Sequence, residues 1–155
     1  MRKLIAFCAL ALVLFCGVAR ADVAATASSG VGETTASQVS MSGVTCVTVD
    51  WLSSSTGICT SVLSDVYGII LRVTINPGAT SPTAAYDMTL KDADGWDVLD
   101  GQGSNLSATV TSSTACCVGS STLGFVPVTV VGSLTLSITN AGASKVGAIR
   151  LYLKP

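Results

Sequence analysis

From Val44 onward, apolar and polar residues alternate in short runs that are separated by glycine, proline, asparagine and aspartate. Residues two apart in a β-strand share a face, so each run predicts a strand with one buried and one exposed face. The alternation is clearest at 47–51, 69–75, 86–91, 134–139 and 149–154, and weaker runs lie at 58–63, 96–99, 106–111 and 125–130. No run has the 3.6-residue period of an amphipathic helix. The pattern predicts an all-β domain of about eight or nine strands.

The residues between two of these runs predict a hairpin. Asp94-Gly95 is a typical two-residue turn, because a type I′ turn needs the positive φ angles that glycine and aspartate tolerate. We expect it to join the strand that ends at Leu90 to one that begins at Trp96. Trp96 shares a strand face with Val98, which predicts that the indole is buried in the core.

A second hairpin tip is predicted at Val131-Gly132, between the runs at 125–130 and 134–139. Short antiparallel strands joined by such turns are typical of a β-sandwich. We therefore expect residues 44–155 to form a single antiparallel β-sandwich of jelly-roll-like character.

The first 43 residues differ in composition from the rest of the chain. An apolar run at 4–19 follows two basic residues and ends at Ala19-Arg20-Ala21, which predicts a signal peptide over residues 1–21. The run is short for a membrane span, which needs ~20 apolar residues. Of the 22 residues at 22–43, 15 are Ala, Gly, Ser or Thr, which predicts a flexible leader, with a first edge strand beginning near Val39.

The net charge and the predicted export restrict the classes of partner that the protein is expected to bind. The chain has 8 basic and 9 acidic residues, and removal of residues 1–21 takes away three basic residues and leaves a formal charge of −4. A mildly acidic domain without a basic cluster is not expected to bind nucleic acid. We expect an exported protein, periplasmic or extracellular, that meets a membrane only during export.

The chain contains no histidine. A Ser-His-Asp or Cys-His catalytic arrangement and a histidine-ligated metal site are therefore excluded. The sequence also lacks a glycine-rich phosphate-binding loop and a Gly-x-Ser-x-Gly motif. These absences predict a protein that is not an enzyme.

A group of aspartates around the expected hairpin is the one dense cluster of candidate ligands. Five aspartates lie between positions 87 and 100, and Asp92, Asp94 and Asp97 are the candidate calcium ligands, because Ca²⁺ prefers several hard oxygen donors at close spacing. The order lacks the fifth-position ligand and the distal glutamate of an EF-hand loop. The alternative is a solvated turn that carries acids on its outer side. No other cofactor is expected.

Four cysteines follow the predicted signal peptide: Cys46, Cys59, Cys116 and Cys117. Export to an oxidising compartment favours disulfides, and three pairings are possible. A bond between the adjacent Cys116 and Cys117 would close a strained ring, so we expect each to pair with Cys46 or Cys59. A four-cysteine zinc site is the alternative, although it lacks a Cys-x-x-Cys spacing on either side.

Four sequence blocks occur in a fixed order along the chain: GIILRV at 68–73, YDMTLKDADGWDVL at 86–99, GSLTLSITNAG at 132–142 and GAIRLY at 147–152. Taken together in this order, they resemble a family of small, poorly characterised proteins encoded by tailed bacteriophages and prophages. The resemblance covers about residues 47 to 153. It implies a β-sandwich virion structural protein or virion-associated protein, with no catalytic residues to carry over and with protein partners, either in self-assembly or in the phage particle.

The signal peptide and the cysteines depart from what this resemblance implies. They favour an alternative, a secreted bacterial β-sandwich adhesin or carbohydrate-binding module. In either case we expect contacts through loops, at 76–85, 92–97 and 140–147, because small β-domains often bind through loops and edges.

Overall fold

The computed structural model describes residues 24–27, 32–114, 117–120 and 124–155. Within these ranges there is no helix and there are nine strands, so the predicted all-β class is confirmed. The strands are β1 (Ala24–Ala27), β2 (Glu33–Met41), β3 (Val44–Leu52), β4 (Cys59–Pro77), β5 (Asp87–Lys91), β6 (Ser112–Thr114), β7 (Cys117–Ser120), β8 (Gly124–Thr139) and β9 (Val146–Lys154). The predicted signal peptide lies outside the described residues.

All strand pairs are antiparallel, and the main path through the sheet is β2-β3-β9-β4-β8-β5. β1 and β6 pair with β4, and β7 pairs with β8. These strands form one continuous sheet. The sandwich and jelly-roll details of the sequence analysis stay predictions.

The long strand β4 connects two parts of this sheet. The runs at 58–63 and 69–75, expected as separate strands, belong to this one strand of 19 residues. Ile69 and Ile70 pair with both β8 and β9, so these two strands lie on opposite edges of β4. The register shifts at Leu63/Val66 and Ile70/Arg72, each adding one residue to β4. Such β-bulges bend a strand, which allows β4 to pair with β8 in one part of the sheet and with β9 in the other.

The predicted hairpin tip at Val131-Gly132 is wrong, because β8 runs through it for 16 residues. Gly132 has a φ of 107° and pairs with Val66, immediately beyond the first bulge of β4. A glycine tolerates this backbone angle, so it accommodates the bend without breaking the strand.

The boundary expected between leader and domain also needs correction. Residues 33–41, assigned to the flexible leader, form β2, which pairs with β3 over its whole length. Ala36 packs against the core. Small and polar residues are sufficient for this strand because it lies at one end of the sheet path and buries little apolar surface.

The core is a single cluster of buried apolar side chains from β3, β4, β5, β8 and β9. The alternation predicted most of its members, as in Val47, Val49 and Trp51 of β3, which are at most 2% exposed. On β4 the bulge at Ile70/Arg72 shifts the alternation, so that Ile70 is buried and Leu71, expected on the buried face, is 42% exposed. Trp51 meets Tyr86, which precedes β5, with ring centroids 6.0 Å apart. This contact joins the β3 part of the molecule to the β5 part.

The segment after β5 differs from the prediction. Residues 96–99 form no strand, and only an isolated bridge joins Lys91 to Asp97. Residues 106–111 also form no strand, although Leu106 bridges Tyr86. This segment nevertheless covers the outer edge of β5, because Met88 N donates to Gly103 O at 2.7 Å and Leu90 N donates to Asp97 Oδ1 at 3.0 Å.

Candidate interaction face

Two of the three candidate calcium ligands, Asp92 and Asp97, accept hydrogen bonds from nearby backbone N–H groups, and the third, Asp94, is exposed to solvent. Asp92 Oδ1 accepts from Asp94 N at 3.0 Å and from Trp96 N at 2.9 Å. The chain reverses through a turn in which Gly95 N donates to Asp92 O at 3.0 Å and Gly95 adopts a φ of 86°. The reversal was predicted at this place, but it is not a two-residue turn between strands.

Asp97 holds the end of this loop. Its Oδ1 accepts from Leu90 N at 3.0 Å and from Leu99 N at 3.2 Å, and its Oδ2 accepts from Gly101 N at 3.3 Å. Across the part of the chain that the structure describes, no three acidic or cysteine side chains are grouped as metal ligands. In this structure the carboxylates of Asp92 and Asp97 stabilise the loop as hydrogen-bond acceptors, and the calcium site stays a prediction.

Trp96 lies on the outer side of this turn and is 54% exposed. The prediction that its indole is buried is wrong. It depended on a strand at 96–99 that does not form, while Val98 and Leu99 enter the core instead.

Two of the four cysteines that were expected to form disulfides have free thiols in this structure. Cys46 and Cys59 both carry free thiols, and they lie on opposite faces of the sheet, Cys59 in the core and Cys46 on the outer side of β3. Burial raises the pKa of the Cys59 thiol to about 11, partly offset by a backbone hydrogen bond at Leu52. The backbone of Cys117 belongs to β7 and lies opposite Pro127 of β8. Cys116 lies outside the described residues. The expected disulfides of Cys46 and Cys59 are therefore not formed in this structure.

Asp87, at the start of β5, joins two of the loops. Its Oδ1 accepts from Asn105 N and its Oδ2 accepts from Asn140 Nδ2, both at 2.9 Å. These two bonds stabilise the carboxylate and lower the pKa of Asp87 below its usual value of 3.8.

Two of the loops expected to make contacts bind to each other. Thr83 N donates to Ala141 O at 2.8 Å, and Val146 N donates to Thr80 O at 3.1 Å. The loops at 76–85 and 140–147 therefore form one ordered end of the molecule, beside the end of β4 and the beginning of β9. A role in binding for these loops stays a prediction.

A broad polar surface, which we call the outer face, lies on the side of β2, β3, β9 and β4 that turns away from the core. Cross-strand pairing divides it into rungs, and each rung lies two residues further along the strands than the one before it. Successive rungs are Glu33-Leu52-Val146, Thr35-Asp50-Ala148-Asn76, Ser37-Thr48-Arg150-Thr74 and Val39-Cys46-Tyr152-Arg72. The residues between them on β3 and β9, such as Val49 and Leu151, are fully buried.

A groove of about 660 Å³ occupies the end of the outer face nearest the ordered loops. Its lining includes Glu33, Asp50, Leu52, Asn76, Val146 and Arg150. This volume is in the range of sites that hold small ligands or a partner's side chains. Trp51 also lines the groove, and its Nε1 is buried without a hydrogen-bond partner among the described residues.

Four charges cross the outer face along one diagonal. Each step moves one strand over and one rung along, from Glu33 on β2 to Asp50 on β3, Arg150 on β9 and Arg72 on β4. Neighbouring Cα atoms on this diagonal are therefore about 8 Å apart. None of the four forms an ion pair within the described ranges, and each belongs to an exposed residue. The face has an acidic end and a basic end.

The basic end is held in place by an aromatic ring. The Arg72 guanidinium lies 4.1 Å from the centroid of the Tyr152 ring, on the adjacent strand. Such a cation–π contact restricts the long arginine side chain and leaves its charge available at the surface. Tyr152 thus supports the Arg72 side chain on the outer face.

Sequence reasoning placed Asp50 and Arg150 on the solvent side of their strands but did not bring them together. Glu33 was assigned to the leader. The alternation predicts which face a residue occupies, whereas the register that aligns β2, β3, β9 and β4 is a long-range property.

No family model matches the chain, and no curated protein matches its sequence. A search of the described residues for membrane spans finds no helix long and apolar enough to cross a bilayer.

Proposed function

We propose that this chain is an exported, non-enzymatic structural or surface-interaction protein of phage or prophage virion type, and that it works through the outer face. The observation that carries the proposal is the diagonal from Glu33 to Arg72, four charges without ion-pair partners among the described residues, on a sheet face that borders a groove. Charges arranged in this way favour recognition of a partner with the opposite pattern.

The chemistry of the side chains supports binding over catalysis. The chain has no histidine, and the aspartates of the 92–97 turn act largely as acceptors for backbone N–H groups. The resemblance to small proteins of tailed phages supports the virion assignment. An exported protein that joins phage particles would meet them outside the cytoplasm or at lysis.

Particle association tests the virion assignment. Phage particles released from the organism that carries the gene are purified on a density gradient and analysed by mass spectrometry. We expect peptides of this chain in the particle fraction, at a constant ratio to the major capsid protein. A chain found only in the cell envelope or the medium, in a culture that releases particles, contradicts the proposal.

A second candidate function, a secreted adhesin or carbohydrate-binding module, is favoured by the exposed indole of Trp96. Exposed tryptophans can stack on sugar rings, and this one is held on an ordered turn by the hydrogen bond from its backbone N–H to Asp92. Asp94 next to it presents a carboxylate that accepts no hydrogen bond from the described residues, a suitable acceptor for sugar hydroxyls.

Glycan binding tests this second candidate. The full chain and a Trp96→Ala variant are compared on an array of bacterial and host glycans. Tyr67→Ala is the matched control, because Tyr67 is an equally exposed aromatic, at 56%, on the bent strand β4. Binding that Trp96→Ala abolishes and Tyr67→Ala preserves supports the lectin function. Absence of binding to every glycan leaves the virion function as the better supported one.

A further inference from the structure

The charge diagonal of the outer face is complementary to itself. Glu33 and Asp50 occupy one end, and Arg150 and Arg72 occupy the other. A second copy turned by 180° about an axis in the plane of contact, perpendicular to the diagonal, brings the acidic end of each copy over the basic end of the other. A two-fold axis of this kind uses the same patch on both copies, as in most homodimers.

We propose that two copies of this chain pair through their outer faces, with Asp50 of each copy beside Arg150 of the other and Glu33 of each copy beside Arg72 of the other. This inference rests on the proposed function as a protein that assembles, and it names the partner as a second copy. In this arrangement each of the four charges gains an opposite charge.

The size of the outer face fits such a dimer. Four strands span about 20 Å and nine residues along β3 span about 30 Å, so the face covers about 550 Å² once its shorter β4 side is allowed for. Two such faces bury about 1,100 Å² in total, just above the ~1,000 Å² expected of a specific interface.

Apolar residues at the margin of the same face would also be buried. Val39 and Met41 of β2 lie on the outer face and are 59% and 73% exposed. Such residues contribute apolar contact area to an interface, while the charges fix its orientation. We therefore expect moderate affinity that decreases at high salt, because salt screens the ion pairs between the two copies.

Sedimentation measurements on the exported protein test the pairing. The unmodified chain should behave as a concentration-dependent dimer at low salt. In a dimer of the Asp50→Arg variant, the arginine introduced at position 50 of each copy faces Arg150 of the other copy, so both contacts become repulsive. In a dimer of the Arg150→Asp variant, Asp50 of each copy faces the aspartate introduced at position 150 of the other, with the same result. Each variant alone should weaken dimerisation at least about tenfold, as expected when close charge pairs become repulsive.

The decisive measurement is a mixture of the two variants. In a mixed dimer, the arginine introduced at position 50 of one copy meets the aspartate introduced at position 150 of the other. The second contact remains Arg150 with Asp50, so both contacts are attractive again. The mixture should dimerise as the unmodified chain does, and this recovery also shows that both variants are folded. Asp94→Arg, on the distant turn, is the matched control and should leave dimerisation unchanged.

The outcomes separate this inference from the proposed function. A chain that stays monomeric throughout a dilution series, or single variants that dimerise normally, overturns the self-pairing. If that chain is still found in particles, and Arg150→Asp removes it from them, the outer face binds a different protein and only the identity of the partner is wrong. A mixture that fails to recover dimerisation while both variants keep their thermal transitions also overturns the self-pairing.

Discussion

Two buried polar atoms near the ring contact of Trp51 and Tyr86 lack hydrogen-bond partners among the described residues, Trp51 Nε1 and the Tyr86 hydroxyl. Burial also raises the pKa of Tyr86 to about 12. A buried polar group without a partner costs free energy of folding, typically about 1–3 kcal/mol. The core of this domain therefore contains two polar atoms that are expected to lower its stability.

Tyr86→Phe should stabilise the protein, because it removes the unpartnered hydroxyl and keeps the ring that packs on Trp51. We expect the free energy of unfolding to rise by about 1 kcal/mol, measured by urea denaturation. Tyr67→Phe, at an exposed position, is the control and should change it by less than about 0.5 kcal/mol. A loss of stability in Tyr86→Phe would show that the hydroxyl is hydrogen-bonded in solution.

The two described thiols should differ in reactivity. Thiolates are the reactive form, and burial both shields Cys59 and raises its pKa to about 11. In the folded protein at neutral pH, iodoacetamide should therefore label Cys46 much faster than Cys59, and both should react after denaturation. Peptide mapping by mass spectrometry assigns the label. Isolation of a disulfide-linked peptide containing Cys46 or Cys59 would show that the exported protein departs from this structure.

At the scale of elements, the strand β5 at one end of the main sheet path has its outer edge covered by a loop segment. β5 is covered by the segment at 97–106, which supplies acceptors for two of its N–H groups. β2 lies at the opposite end of the path. Unprotected sheet edges promote pairing with other chains, so a covered β5 directs association toward other surfaces of the molecule.

Gly103 is essential for this cover. A methyl group at Gly103 would overlap the carbonyl oxygen of Met88, a backbone atom fixed within β5. Gly103→Ala should therefore reduce the free energy of unfolding by about 1–3 kcal/mol through overpacking, measured by thermal or urea denaturation. Ser104→Ala, at the next and exposed position, is the control and should stay within about 0.5 kcal/mol. Equal effects of the two substitutions would contradict a close packing of this loop on β5.

At the scale of the whole molecule, Asp87 ties β5 to Asn105 and Asn140, which belong to loops on either side of it. A carboxylate whose pKa is lower in the folded protein contributes stability above its unfolded pKa, and that contribution is lost as the pH falls through the folded value. The loss for Asp87 therefore begins near the ordinary pKa of 3.8 and continues below it.

Asp87→Asn should make the melting temperature less sensitive to acid. Between about pH 5 and pH 2, the unmodified protein loses the contribution of this carboxylate, whereas the variant has none to lose. Thermal melts across this range measure the difference. Asp94→Asn is the control, since no described group donates to the Asp94 carboxylate, and its melting curve should follow the unmodified protein. Parallel curves for all three proteins would contradict the role of Asp87.

The sequence by itself determined the all-β class and the inward face of most strands. In runs such as Val47-Thr48-Val49 and Ile149-Arg150-Leu151, the two-residue period is a local property, so the buried positions follow from alternation alone. The same local pattern placed Asp50 and Arg150 on the solvent side. The chain reversal near Gly95 was also predicted, because the backbone angle that a turn needs is a property of a few adjacent residues.

Only the tertiary structure decided which strands are neighbours and how they are aligned. The continuity of β4 and β8 depends on bulges and on Gly132 opposite them, and β2 is a strand because β3 provides a partner for its small polar residues. Trp96 is exposed because no neighbouring strand holds residues 96–99. The charge diagonal joins Glu33, Asp50, Arg150 and Arg72, residues far apart in the chain, and their alignment comes from the register of four strands, which no local pattern specifies.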